Sequence, residues 1–183
     1  MMDREVIEAA RLGESWALEA IYAELAAPVL GYLRGQGLRD PEDAASEVFV
    51  GVVRGLERFR GEERDLRTWV FSIAHRRVID ERRRLARRPE EPVDPVDLAG
   101  PLAGSMTGDT EEESLARLGT GWALDALRAL TPDQRAVVTL RVLADLSVEQ
   151  VAAVLGKSLG AVKSLQLRGL VALARNLERE GVS

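Results

Sequence analysis

Between residues 89 and 110 the chain carries four of its seven prolines, Pro89, Pro92, Pro95 and Pro101, with Gly100, Gly104 and Gly108 among them. Proline lacks an amide donor and fixes φ, and glycine adds backbone entropy, so neither helix nor strand propagates through such a run. Residues 89–114 also hold eight acidic side chains and no basic one, a composition that buries little apolar surface. This segment divides 183 residues into two short pieces. The expected layout is a first domain at 1–88, a flexible acidic linker at 89–112 and a second domain at 113–183.

Both pieces read as helical. Aromatic residues make up 4% of the chain, while Ala, Leu, Val, Glu and Arg dominate, which favours helix over sheet. In the first piece Trp16, Ala20, Tyr22, Leu25, Val29 and Leu33 recur at helical spacing, with Pro28 marking a kink or a restart. Asp40-Pro41-Glu42-Asp43 opens the next helix, Asp40 as cap, Pro41 in the first turn and two acids at the positive end of the dipole. Ala45, Val48, Phe49, Val52, Val53 and Leu56 line one face of it. A third helix is predicted from about Asp65 to Arg88, with Trp69, Val70, Ile73 and Ala74 as its apolar stripe. In the second piece Thr110, Thr131 and Ser147 each begin a capping-box pattern. Gly156 suits a helix end and Ser158 a new cap. Two helices joined by Gly156-Lys157-Ser158 are the sequence form of a helix-turn-helix. The fold class expected is all-α, two small helical domains, the second with the helix-turn-helix.

The charge distribution says more than the net value of −5. Residues 67–88 carry eight arginines against Asp80 and Glu81, and residues 131–183 carry seven basic against five acidic groups. Two basic pieces thus flank an acidic connector. Arg76, Arg77, Arg82, Arg83, Arg84, Arg87 and Arg88 exceed what a helix C-terminus needs to offset its dipole. Arginines in that density neutralise phosphates and stack on exposed bases; an anionic membrane surface is the other taker, but only Leu85 interleaves with them, which argues against insertion. In the helix-turn-helix the residues placed to reach base edges are Leu159, Ala161, Val162, Lys163, Gln166 and Leu165, with Ser158 and the nearby amides on a phosphate and Arg168 on the backbone. A plain antiparallel helix pair, with Val162, Leu165 and Leu170 as core, fits the same spacing.

Other classes find less support. The chain has no cysteine, hence no disulfide framework and no thiolate metal site. His75 is the only histidine, and no phosphate-binding loop, zinc-protease or EF-hand pattern is present. No catalytic residue, metal or cofactor is expected. The N-terminus lacks the apolar core of a signal peptide and no stretch of 18 apolar residues occurs, so a cytoplasmic protein is expected.

Three stretches together resemble the extracytoplasmic-function (ECF) sigma factors, the small members of the main bacterial sigma family. They are Asp40 to Ala44 with Glu47-Val48-Phe49 and Leu56 to Phe59; Leu66 to Asp80 with Arg82-Arg83-Arg84; and Ala126 to Pro132, Arg135, Leu140-Arg141, Leu146-Ser147, Val151-Ala152, Leu155-Gly156 and Gly160 to Ser164. The resemblance implies binding to core RNA polymerase, at its beta-prime clamp and beta flap, through Asp43, Glu47, Val48, Phe49 and Arg54. It implies recognition and melting of a minus-ten element by His75, Arg76, Arg77, Asp80, Arg83 and Arg84. Ser158, Leu159, Ala161, Lys163, Ser164, Gln166 and Arg168 would meet a minus-thirty-five element, and an anti-sigma factor would be a further partner. Arg76, Ala161, Leu165, Gly169 and Leu170 depart from residues frequent in that family, which makes the recognition helix less basic than usual. A stand-alone helix-turn-helix regulator and a protein-only adaptor are the other readings the residues allow.

Overall fold

A computed structural model describes residues 4–87 and 123–179. Among them every regular element is a helix: α1 (Arg4–Arg11), α2 (Ser15–Gly35), α3 (Pro41–Leu56), α4 (Glu63–Arg87), α5 (123–128), α6 (Pro132–Val142), α7 (Val148–Leu155) and α8 (Leu159–Arg179). The linker, the capping pattern at Thr110 and Trp122 lie outside the described residues.

In the N-terminal half α1 to α4 bury their apolar stripes against one another. Ile21, Leu25, Val29, Tyr32 and Leu33 of α2 meet Val48, Val52 and Leu56 of α3 and Leu66, Val70, Phe71 and Val78 of α4 in one fully buried cluster. Fully burying side chains of this kind stabilises by about 1.5–3 kcal/mol each before conformational entropy is subtracted. Helix α1 had no strong start signal in the sequence, yet Ile7 and Ala10 pack into the same core. Helix α2 runs unbroken through Pro28. The missing amide costs one backbone hydrogen bond, but Leu25 and Val29 on either side are anchored in the core and hold the two segments in line.

Local signals place the other ends. The Asp40 side chain accepts from the Asp43 amide at 2.9 Å, and Thr131 and Ser147 form complete capping boxes with Gln134 and Gln150. Gly156 closes α7 at φ 62°, ψ 34°, a left-handed conformation in which glycine avoids the Cβ clash. The Ser158 hydroxyl accepts from the Ala161 amide at 3.3 Å and so starts α8. Helix α8 crosses α6 at Gly169, where a Cβ would stand 2.9 Å from Val138 Cγ2. Arg135 takes up the carbonyls of Leu127, Arg128 and Leu130 at the end of α5, acceptors that would otherwise be unsatisfied.

The two halves lie against each other, a contact that nothing in the sequence signalled. Helix α7 packs on α4, and α6 on the end of α2. Gly31 and Gly35 allow the approach: a Cβ on Gly35 would stand 3.1 Å from Thr139 Cγ2 and 3.3 Å from Leu127 Cδ1. Val137, Leu140, Ala144, Leu146 and Val151 join the same continuous core as the N-terminal helices.

Candidate nucleic-acid interface

The arginine-rich end of α4 emerges where its buried stripe ends. Arg76, Arg83, Arg84 and Arg87 are exposed, and Arg77 and Arg82 are half-buried. Most of these cations already have partners. Arg77 pairs with Glu47 of α3 at 2.5 Å, Arg84 with Glu81 at 2.5 Å and Arg83 with Asp80 at 4.0 Å, and Arg82 Nη2 donates to Gln36 Oε1 at 3.0 Å. Arg76 has no ion-pair partner among the described residues. Solvent-exposed pairs of this kind contribute about 0–1 kcal/mol, so a phosphate can take over the guanidinium at little cost.

His75 faces the other way, into the bundle. Its Nδ1 lies 2.8 Å from the Tyr32 hydroxyl. Burial pushes the Tyr32 hydroxyl well above its ordinary pKa, so Tyr32 keeps its proton and donates it to Nδ1. Burial, and then the nearby Arg82 charge, lower the His75 pKa. The imidazole is therefore held neutral, with its proton on Nε2.

The residues singled out on α3 divide among three environments. Asp43 and Glu47 line a groove of about 240 Å³ shared with Arg77, Asp80, Glu81 and Arg84 of α4, so residues the sequence assigned to separate partners stand together. Arg54 is exposed. Val48 is fully buried; it supports α3 from beneath and offers a partner no surface, which corrects its place in the docking set. Phe49 is half-buried and meets Tyr22 edge-on, ring centroids 4.7 Å apart. Tyr22 itself is 57% exposed. With Leu18, Phe49 and Val53 it lines an apolar groove of about 310 Å³ between α2 and α3. Period alone did not show this groove, because it runs across two helices.

A second missed feature lies at the α3–α4 loop. Phe59 and Trp69 pack at 5.2 Å between centroids and form a recess with Thr68, rimmed by Arg58, Arg60 and Asp65. Gly55 makes room for the indole, since a Cβ there would lie 2.6 Å from Trp69 Cζ2. Trp69 thus fills core spacing and also faces an open recess.

In the helix-turn-helix, Leu159, Lys163, Ser164 and Arg168 are exposed on α8, and Ala161 and Gln166 are half-buried. Ser158 is exposed, with its hydroxyl engaged as the cap of α8. Val162 is fully buried and Leu165 packs against the core, so neither reaches a base edge from this face; they belong to the helix-pair core. Leu170, the third residue of that core reading, is instead exposed, as are Leu167 at 65% and Val171. Lys157 in the turn pairs with Asp133 at 2.8 Å and pins the turn to the start of α6. Among the described residues no cluster of His, Asp or Glu could hold a metal, and no helix is long and apolar enough to cross a membrane.

Comparison with known proteins gives a consistent picture. Residues 21–88 match the family model described as Sigma-70 region 2, and residues 120–173 match Sigma-70, region 4. The chain is 35% identical to the ECF RNA polymerase sigma factor BldN of Streptomyces coelicolor, covering 94% of this chain and 65% of BldN, so it spans just under two thirds of that protein. It is 32% identical to the ECF RNA polymerase sigma factor ShbA of Streptomyces griseus, over 86% of each chain. Among solved structures, the complex of CnrH with the cytosolic domain of CnrY contains a chain of the same fold, with a TM-score of 0.70 and 23% identity, covering 98% of this chain and 99% of that one.

Proposed function

The chain belongs to the ECF sigma factors of the sigma-70 family, binding core RNA polymerase and promoter DNA without a catalytic step of its own, and from that premise we propose how its surfaces divide the work. The exposed arginines of α4 hold the DNA backbone at the upstream edge of the minus-ten element. Arg76, Arg83 and Arg84 are the contacts, exchanging weak internal pairs for phosphates, while Arg77 and Asp80 line the adjoining groove. His75 supports the helix from within through Tyr32. The recess of Phe59, Thr68 and Trp69 receives a base displaced from the opened strand, since an aromatic wall with a cationic rim suits a stacked base.

Helix α8 enters the major groove of the upstream element. Leu159 and Ala161 offer apolar contact to thymine methyls, Gln166 offers a bidentate partner for adenine, and Lys163, Ser164 and Arg168 bond to bases or backbone. Ser158 places the N-terminus of α8 beside a phosphate. The polymerase clamp docks on the outer face of α3, through Arg54, Asp43 and Glu47, and on the apolar groove of Tyr22, Phe49 and Val53, which gives that docking its buried area. The beta flap takes the C-terminal half. An anti-sigma factor is a further partner, in keeping with the CnrH–CnrY pairing of the structural relative, and the protein acts in the cytoplasm.

The observation that carries this reading is the order of parts: an arginine-ended helix α4 followed by a capped helix-turn-helix α7–α8. Run-off transcription with purified bacterial core polymerase and a promoter library tests it. Protein-dependent starts downstream of a shared two-block motif are expected. No stimulation, combined with tight binding of the protein alone to duplex DNA, would replace it with the stand-alone regulator.

A further inference from the structure

Helix α8 divides cleanly around its axis. Val162 and Gly169 are buried and Leu165 packs against the core. With 3.6 residues per turn, Leu159, Gly160, Lys163, Ser164, Leu167 and Arg168 fall on the opposite side, and all six are exposed. Leu167 stands in the middle of that face and is 65% exposed, more than any other large apolar side chain described on the helix. Leu159, nearer the N-terminus, is 45% exposed. The two leucines are about 12 Å apart along the axis, on the order of three to four base-pair steps. Between them, a Cβ on Gly160 would meet nothing within 4 Å, so the backbone can come close to the floor of a groove. Polar readers are few here. Arg168 turns its Nε back to the Ser164 carbonyl at 3.3 Å, Lys163 is a point donor, and Ser164 offers one hydroxyl. Neither Asn nor Gln stands among the six. No Asp or Glu occurs between residues 158 and 176, and the only charges there are Lys163, Arg168 and Arg175. An apolar stripe set among cations complements a surface that is anionic at its edges and carries apolar groups on its floor.

We propose that Leu167, together with Leu159, reads the C5-methyl groups of pyrimidines in the upstream element, so that promoter choice by this chain depends on 5-methylpyrimidines at the centre of the α8 contact. The inference rests on the promoter reading above. The thymine methyl is the apolar feature that base edges present in the major groove. Leucine has neither donor nor acceptor with which to test the neighbouring 4-position, so it accepts the methyl of 5-methylcytosine as well as that of thymine. Methylation of a cytosine at a position that Leu167 covers therefore strengthens recognition. An arginine or asparagine reader, bonded to purine edges, would be indifferent to that methyl. A single exposed leucine is ordinary on a protein surface; what singles out Leu167 is its place at the middle of the outer face, in line with Leu159 and ringed by cations.

The test uses holoenzyme assembled from the full chain and bacterial core polymerase, on a promoter taken from the run-off library. Each thymine of the upstream block is replaced singly by deoxyuridine, which removes the methyl and keeps every hydrogen-bonding group. At one or more positions holoenzyme affinity should fall about fourfold, the factor for one methyl no longer buried. At the same position 5-methylcytosine should bind more tightly than plain cytosine by about the same factor. Leu167→Ala, an exposed substitution that favours the helix, should abolish both differences at the position Leu167 reads. Deoxyuridine in the minus-ten block should cost wild type and variant alike. An upstream block without thymine, or one in which no methyl matters to the wild type, overturns the proposal. So does a methyl effect that Leu167→Ala and Leu159→Ala both leave intact. If Leu167→Ala instead weakens assembly with core polymerase in the absence of DNA and keeps the methyl differences, the face belongs to a protein partner. If wild-type protein directs no transcript at all, the promoter reading falls, and binding of the full chain alone to library duplexes with and without the methyls decides whether α8 reads them.

Discussion

Helices α4 and α8, the two proposed to meet DNA, are built in opposite ways. Helix α4 sinks Leu66, Val70, Phe71, Ala74 and Val78 into the core and then extends as a cationic rod. Helix α8 buries Val162, rests Gly169 on α6, and shows Leu159, Leu167, Leu170 and Val171 to solvent. The first is a structural beam whose charged end can hold any phosphate. The second packs along α6 and α7 and turns a face with few cations and several apolar side chains to solvent, suited to shape and methyl contacts. Salt dependence should therefore belong to α4 and sequence preference to α8.

The contrast is broken most directly through stability. Phe71→Ala removes a fully buried ring from the α4 stripe and is expected to cost about 3–5 kcal/mol in chemical denaturation. Leu170→Ala on the exposed face of α8 should change stability by less than about 0.5 kcal/mol. Comparable losses would mean α8 is as much a beam as α4. Next in size is the paired variant Arg83→Ala with Arg84→Ala. Open-complex formation by the holoenzyme should fall, and the logarithmic salt slope should flatten by about two, with the melting temperature unchanged. Unaltered open complexes would remove α4 from the minus-ten assignment, and an equal flattening from Lys163→Ala would erase the difference between the helices. Ser147→Ala should cost about 1 kcal/mol through the lost cap of α7.

The smallest effect is a pH dependence. His75 has a lowered pKa in the fold, so below its ordinary value near 6.5 the unfolded chain binds the proton more readily than the folded one. Stability is fully present above that pH and declines as pH falls further. Thermal melts of wild type and His75→Gln between pH 7.5 and 5.5 should converge toward acid, and parallel curves would contradict the buried neutral imidazole.

Much of this was readable in the residues because it is local. Caps at Asp40, Thr131 and Ser147, the glycine stop at Gly156 and the arginine run each act within a turn or two of chain. Helix α1 was missed because it lacks a strong cap and is held by packing of Ile7 and Ala10. Val48 stands on the apolar face that the period of α3 marks and Val162 in the helix-pair core that the spacing of α8 allows, but that neither is left free for a partner is decided by tertiary contact. The Tyr22–Phe49 groove and the Phe59–Trp69 recess join residues 27 and 10 positions apart, and no local pattern marks such pairs. The contact between halves bridges Gln36 and Thr139, 103 positions apart, across a linker whose composition argues only for separation.

Gln36 has a consequence of its own. Its oxygen takes a proton donor from Arg82 of the cationic rod, and its nitrogen gives one to Thr139 in the opposite half. An anion that draws Arg82 away leaves that buried oxygen unpaired and weakens the amide's hold on Thr139. Such linkage is reciprocal: whatever factor anion capture at Arg82 takes from the contact between halves, closing that contact takes from the anion's affinity. One neutral side chain thereby makes the ionic environment at the tip of α4 and the separation of the two halves a single coupled equilibrium.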